Sequence, residues 1–311
     1  MKISLLIPVF NYDIVALVHG MKSAFGKVPE LLEIIIGDDG SSADFKEKYK
    51  LLEDEHVRVI FSEKNIGRAA IRNKLAMEAK GDVLLFIDSD AMLPGTAEAY
   101  LSKWIPNMSS IEVTCGGTLY RDSPPGDPDK LLRWRYGKVR EQLAAEERNK
   151  HPYARFSAFN VLIGKDVFEK IRFNEDLKQY GHEDTLMGYQ LKKAGIYVVH
   201  IDNGLLHEGI ESNGEFINKS KLGVENLSNL YDIVTDKRTL SGIYSMLRAY
   251  NRLNFIGLTR VFASLFIHYR ERIEHKLDSG KTSLILFSIY KFCLFCTYRE
   301  IHIRKKILFV F

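Results

Sequence analysis

A chain of 311 residues is long enough to bury one large core and carry an appendage, and 46% hydrophobic with 27% charged residues excludes both a disordered chain and a membrane bundle. The net charge of +4 is too small to argue for nucleic acid, and part of it comes from Arg299, Arg304, Lys305 and Lys306 among the aromatics near the end. Cys115, Cys293 and Cys296 make no disulfide framework, so a reducing, cytoplasmic compartment is expected; Cys293 and Cys296, spaced C-x-x-C in an apolar run without a second ligand pair, read as packing residues.

The chain opens with an apolar run over 3–9, cut short by Pro8 and Asn11, which reads as a first strand rather than a secretion signal. Ile14, Leu17, Val18, Met21 and Phe25 then recur at helical spacing. A strand over 33–37 ends in Asp38, Asp39, Gly40 and Ser41. A helix over 44–53, a strand over 57–61, a helix over 69–79 and a strand from Val83 follow. This alternation predicts an α/β fold around a mostly parallel sheet, which binds ligands at the carboxyl ends of its strands. Three of those ends carry polar clusters: Asn11 with Tyr12, the DDGS run, and Asp88 with Asp90.

In VLLFIDSD, 83–90, side chains alternate, so Asp88 and Asp90 share one face and Ser89 points away. Two carboxylates that close repel unless a cation accompanies them, and hard oxygen donors suit Mg²⁺ or Mn²⁺. The alternative is a pair of acids that simply opens a loop. In NIGRAAIRN, 65–73, Gly67 permits a close turn, and Arg68 and Arg72 fall four apart near a helix start. They suit an anionic ligand at the helix N-terminus or form a solvated basic face.

IPVFN, DDGS, N-x-G-x-x-x-x-R-N and FIDSD, in this order and spacing, resemble the nucleotide-sugar domain of the family 2 glycosyltransferases of the GT-A fold. The resemblance covers roughly the first two-thirds of the chain and implies a Rossmann-like, mostly parallel sheet flanked by helices. It implies that Asp39 contacts uracil or ribose, with Pro8, Phe10, Asn11 and Asp38 nearby. It also implies that Arg72 faces the nucleotide, and that Asp88, Ser89 and Asp90 meet the donor's diphosphate and its divalent metal.

Further along, Pro94 fits the first turn of a helix to about residue 105, and 111–120 reads as a strand with Gly116 and Gly117. The prolines of RDSPPGDPD, 121–129, make a loop. Residues 129–148 read as one long charged helix whose Trp134 and Tyr136 are a sugar platform or packing residues, and whose surface is open to a homodimer. A strand over 156–163 and a short helix, KDVFEKI, precede G-H-E-D-T, 181–185, which opens a helix over 183–194. Acids in a first turn are ordinarily capping partners. This pentapeptide, however, resembles the acceptor-side motif of inverting GT-A enzymes, the galactosyltransferase-like region above all. That resemblance implies Asp184 as general base and Glu183 at the acceptor. After a last strand over 196–201, it implies His207 as a further metal ligand.

From about residue 214 the chain reads as helical, and 243–250, 258–273 and 284–311 are apolar enough for packed or membrane-surface helices. The run from 284, interrupted by Lys291, falls short of the ~20 residues of a spanning helix. The closing IHIRKKILFVF is a basic amphipathic anchor or a helix docked on the catalytic domain. The expected organisation is a catalytic domain over 1–213, with a nucleotide-sugar half (1–120) and an acceptor half (121–213), then a helical extension over 214–311. The expected activity is metal-dependent inverting transfer of a hexose or N-acetylhexosamine from a nucleotide sugar, UDP by resemblance, to a saccharide or lipid-linked saccharide. The setting is the cytoplasm or the cytoplasmic face of the membrane, as in cell-surface polysaccharide synthesis. A noncatalytic nucleotide-sugar or glycan-binding partner is the alternative, but pure binding would not need Asp184. A sugar-nucleotide pyrophosphorylase would carry a Gly-rich loop after the first strand, where IPVFNY has none.

Overall fold

Each apolar run read as a strand before residue 90 is one: β1 (Ile3–Val9), β2 (Leu31–Asp38), β3 (Val57–Phe61) and β4 (Val83–Ile87). The computed structural model describes residues 1–176, 181–280 and 283–308. The later strands are short: β5 (Ala91–Met92), β6 (Val113–Cys115), β7 (Thr118–Leu119), β8 (Asn160–Gly164), β9 (Val198–His200) and β10 (Leu205–His207). Among the described residues, seven of the ten strands form one sheet in the order β3-β2-β1-β4-β8-β6-β9, parallel except that β8 runs against both of its neighbours. Every residue of β1 and β4 is buried, as continuous apolar runs in a sheet covered on both faces must be.

Strand order reverses at β1, which pairs with β2 on one side and β4 on the other. Pairing with β2 continues to Val9 opposite Asp38, whereas pairing with β4 ends at Leu6 opposite Phe86. Pro8, which has no N–H to donate, sits where the β4 side has already parted. The carboxyl ends of β1 and β4 therefore separate at a topological switch point, the place where such sheets take ligands. A second sheet, β5-β10-β7, begins immediately after the aspartate pair.

The helices, in chain order, are α1 (Val15–Lys22), α2 (Ala43–Lys50), α3 (Arg68–Glu78), α4 (Ala97–Ser102), α5 (Leu131–Tyr136), α6 (Ala145–Asn149), α7 (Lys165–Lys170), α8 (Glu183–Lys193), α9 (Asn213–Ile233), α10 (Lys237–Ile243), α11 (Ser245–Phe255), α12 (Leu258–Asp278) and α13 (Leu284–Leu308). Three expectations change. The helix expected from Pro94 starts at α4, because the Thr96 hydroxyl caps it by accepting from Ala99 N at 3.2 Å. The strand expected over 111–120 divides at Gly116–Gly117 into β6 and β7, which belong to different sheets. The long helix expected over 129–148 breaks into α5, a π turn (Gly137–Glu141) and α6. Its two ends have different anchors: Leu132 N donates to Asn213 Oδ1 at 2.9 Å, and Ala145 N to Asp202 Oδ1 at 2.7 Å.

The chain forms two units, one of Met1–Arg121, Arg140–Lys178 and Gln190–Gly209, the other of Asp122–Val139, Gln179–Tyr189 and Ile210–Phe311. This differs from a single cut at 213/214, since the helical unit also takes 122–139 and 179–189. Asn213, fully buried, accepts from Leu132 N and donates to Pro128 O and Asp278 O, tying the first of those segments to α9 and α12. The unit's core joins Leu227, Leu247, Phe266, Phe287 and Tyr290, and Arg299 forks onto Asp232 at 2.8 and 3.0 Å. Cys293 and Cys296 are free and buried there, and burial pushes the Cys296 thiol up to about 12. Among the described residues no helix is long and apolar enough to cross a membrane. The side chains of 303–308 and all of 309–311, on which the basic tail anchor rests, lie outside the described residues.

Candidate functional site

At the ends of β1 and β2 the polar clusters hold one another. Asn11, at φ 47°, donates its N–H to Ser41 Oγ at 2.8 Å and accepts from Ser42 N at 2.9 Å. Asp38 is fully buried, accepts from Ser41 N at 3.0 Å and lies 3.9 Å from Lys46 Nζ. The two oxygens of Asp39 each take a backbone donor from the turn before α3, Ile66 N at 2.6 Å and Gly67 N at 3.1 Å. Gly40, at φ +79°, lies so close to Lys64 and Asn65 that no Cβ fits there. Burial raises the Asp39 pKa, the two N–H bonds oppose the shift, and the charge of Asp38 adds to it. An ionised carboxylate offers about four acceptor sites, so Asp39 grips this turn with capacity left for a ligand. Phe10, 48% exposed, leaves an aromatic face open beside this corner of the sheet.

The second cluster lies past β4. Arg72, 4% exposed on α3, sends Nη2 to Asp88 Oδ1 at 2.5 Å and stacks its guanidinium on Phe173 at 5.5 Å, so it is no solvated basic face. Ser89 forms the tip of the turn into β5. Antiparallel pairing of β5 and β10 sets His207 opposite Ala91, which brings His207 Nε2 to 3.4 Å from Asp90 Oδ2. His207 is held between the rings of Tyr120 and Phe159, with centroids 5.5 and 5.4 Å away, and its Nδ1 is buried without a hydrogen-bond partner among the described residues. Burial raises the Asp90 pKa; His207 opposes this, the charge of Asp88 adds to it, and Arg68 opposes it. Tyr12 is pushed up by burial, then by Asp90 and Glu208, so its hydroxyl keeps its proton beside these acids. Gly209 approaches Asp90 so closely that a Cβ there would collide with Oδ2.

Two carboxylates and an imidazole are a donor set for Mn²⁺ or Mg²⁺, and a desolvated acid with a like charge two residues away is stabilised by a cation. Among the described residues no three His, Cys, Asp or Glu side chains close into a ready-made cage.

Glu183 and Asp184 occupy the first turn of α8, half-buried, in the second unit, whereas the aspartate pair and His207 belong to the first. Their turn is built carefully. His182, at φ 70°, places Nδ1 3.0 Å from Thr185 Oγ1 and sets its ring edge-on to Tyr244 at 5.2 Å. Burial pushes His182 down to about 4, so it stays neutral at physiological pH. Asn226 on α9 donates to Gly181 O. Tyr136 packs against Phe216 and Phe287 under Lys291 and is no sugar platform. Trp134, beside it on α5, is half-buried. The sequence alone did not single out Tyr120, Phe159, Gly209 or Asn226. Gly209, two residues past His207, carried the one local signal, a glycine where backbone must come close.

Residues 4–171 match the family model described as Glycosyl transferase family 2. The GalNAc(5)-diNAcBac-PP-undecaprenol beta-1,3-glucosyltransferase of Campylobacter jejuni is 27% identical over 202 residues, 63% of this chain and 62% of that protein. The chain thus spans less than two thirds of that relative. Glycosyltransferase GlyG of Streptococcus pneumoniae is 24% identical over 217 residues, 66% of this chain and 70% of that protein. Among solved structures, mannosyltransferase PcManGT from Pyrobaculum calidifontis, in complex with GDP-Man and Mn²⁺, superposes with a TM-score of 0.56 at 12% identity, over 96% of this chain and 86% of that one. S. aureus TarS 1–349 gives 0.50 at 17% identity, over 98% and 92%. These likenesses show a shared GT-A fold.

Proposed function

The chain belongs to glycosyl transferase family 2, and from that premise we propose that it transfers a hexose or N-acetylhexosamine, with inversion, from a nucleoside-diphosphate sugar to a hydroxyl of a saccharide acceptor. The observation that carries this reading is the pairing of β5 with β10, which joins His207 to Asp90 two residues from an Arg72-anchored Asp88 at the switch point of the sheet. The DDGS corner and the exposed ring of Phe10 receive the base and ribose, with Asp39 as hydrogen-bond acceptor and UDP as the nucleotide to test first. Asp88, Asp90 and His207 would hold a divalent cation, which when bound supplies charge neutralisation at the departing diphosphate. PcManGT, of the same fold and solved in complex with GDP-Man and Mn²⁺, supports testing a divalent cation here. Asp184 takes the proton of the acceptor hydroxyl as its oxygen bonds to the anomeric carbon and the bond to the diphosphate breaks on the opposite face. Glu183 orients the acceptor. The Campylobacter relative, named for a polyprenyl-diphosphate-linked glycan, supports a lipid-linked saccharide as acceptor. The free, buried cysteines suit a cytoplasmic setting.

The test is release of nucleoside diphosphate from UDP- and GDP-sugars while Mn²⁺ is titrated in, without and with a lipid-linked saccharide. Asp90→Ala should lose the metal dependence together with turnover. Asp184→Asn should keep donor affinity and lose transfer, and turnover retained in that variant rejects it as the base. Absence of any release from every donor in the wild type would favour a noncatalytic binding partner.

A further inference from the structure

The second unit carries an apolar surface that its core does not use. On α12, Thr259, Ala263, Phe266 and Leu277 face inward. Leu258, Val261, Leu265 and Tyr269 recur at three- and four-residue spacing on a different side, 40%, 51%, 54% and 52% exposed. The stripe continues into the α11–α12 corner, where Phe255 is 91% and Ile256 61% exposed. Scattered exposed apolar residues need no explanation, but a contiguous set ending in a fully presented phenylalanine marks a binding surface.

Charge identifies the occupant. Residues 245–272 contain Arg248, Arg252, Arg260, Arg270 and Arg272 against a single acid, Glu271. Arg260 is near Glu300 and Arg270 is paired with Glu274, while Arg248, Arg252 and Arg272 are exposed and make no ion pair among the described residues. A protein partner would be expected to meet this stripe with its own shaped apolar face. Insertable side chains at a helix corner, flanked by arginines, instead match a bilayer surface, where rings and aliphatics enter the acyl boundary and guanidinium groups meet anionic headgroups.

We propose that the α11–α12 corner docks the chain on anionic membranes, lying on the bilayer without crossing it. The assignment differs from the tail anchor expected at residues 301–311, and it is tested without donor, metal or acceptor, so it stands or falls separately from the transfer reaction.

The experiment is flotation of the full chain with vesicles of phosphatidylglycerol and phosphatidylcholine, beside vesicles of phosphatidylcholine alone. The wild type should float with the mixed vesicles, and the bound fraction should fall about tenfold on the neutral ones or in high salt. Val261→Glu with Leu265→Glu should lower binding to the mixed vesicles by about the same factor. Ile267→Glu, also exposed on α12 but outside the stripe, should bind as the wild type does. Circular dichroism checks folding, and should the double variant melt, Phe255→Ser and the pair Arg252→Gln with Arg272→Gln replace it. Failure of the wild type to float with mixed vesicles, or equal flotation of every folded variant, overturns the proposal. So does self-association in light scattering that the double glutamate abolishes without vesicle binding, because the surface would then belong to a second copy.

Discussion

Asp39 separates a structural role from a ligand role in one measurement. Its two oxygens accept from Ile66 N and Gly67 N, and hydrogen bonds to a charged group contribute ~1.5–3 kcal/mol each, or about 3–6 together. Two observations reduce the net effect of Asp39→Ala. Ile66 is 42% exposed, so water reaches the freed donors, and burial works against the Asp39 charge, so its removal recovers some desolvation. A loss of about 2 kcal/mol remains, a shift of about 1 M in urea midpoint for a slope near 2 kcal/mol per M. Asp39→Asn, though isosteric, should cost at least as much, because its NH₂ must face one of the two backbone N–H groups. The assay is urea unfolding followed by Trp104, fully buried in the first unit, with Trp134→Phe removing the only other tryptophan signal. A midpoint unchanged in both variants, with only nucleotide affinity lost, would refute the turn-holding role.

Gly209→Ala tests the placement of Asp90: its Cβ would displace the carboxylate from His207, so Mn²⁺-dependent turnover should fall about tenfold or more while the melting temperature stays within about 2 °C. Full activity would mean that this geometry is not required. His200 supplies a pH prediction. It is 2% exposed, accepts from Arg148 Nη1 at Nδ1 and donates from Nε2 to Pro152 O, both at 3.0 Å, and burial pushes it down to about 4. Between that value and its ordinary 6.5 the unfolded chain takes up a proton that the folded one refuses. This stability is therefore present above pH 6.5 and lost as pH falls toward 4, by up to roughly 3 kcal/mol. Scanning calorimetry between pH 7 and 4.5 should show a steeper fall for the wild type than for His200→Asn, and parallel curves would reject the assignment.

Strand and helix placement before residue 90 was legible because buried parallel strands write themselves as unbroken apolar runs and their helices keep a 3.6-residue period. Past residue 110 the same reading overran: β6, β7 and β10 are two or three residues long, too short for a period, and exist because they pair with distant partners. The helix expected over 129–148 failed for a related reason. Its ends answer to Asn213 and Asp202, dozens of residues away, and no local propensity records that. The aspartate pair was visible as a pattern, but what surrounds it was not. Arg72 read locally as an anion contact or a solvated face, and by resemblance as facing the nucleotide; its contacts with Asp88 and Phe173 come only from the packing of α3, and His207 gained its neighbour only through the register of β10 on β5. Side chains that act at strand ends are written locally, while the groups that aim them come from pairings of high sequence separation. The D-x-D is therefore visible as a local pattern, whereas Gly209, Tyr120 and Phe159, which crowd Asp90 and flank His207, fix where those two side chains lie.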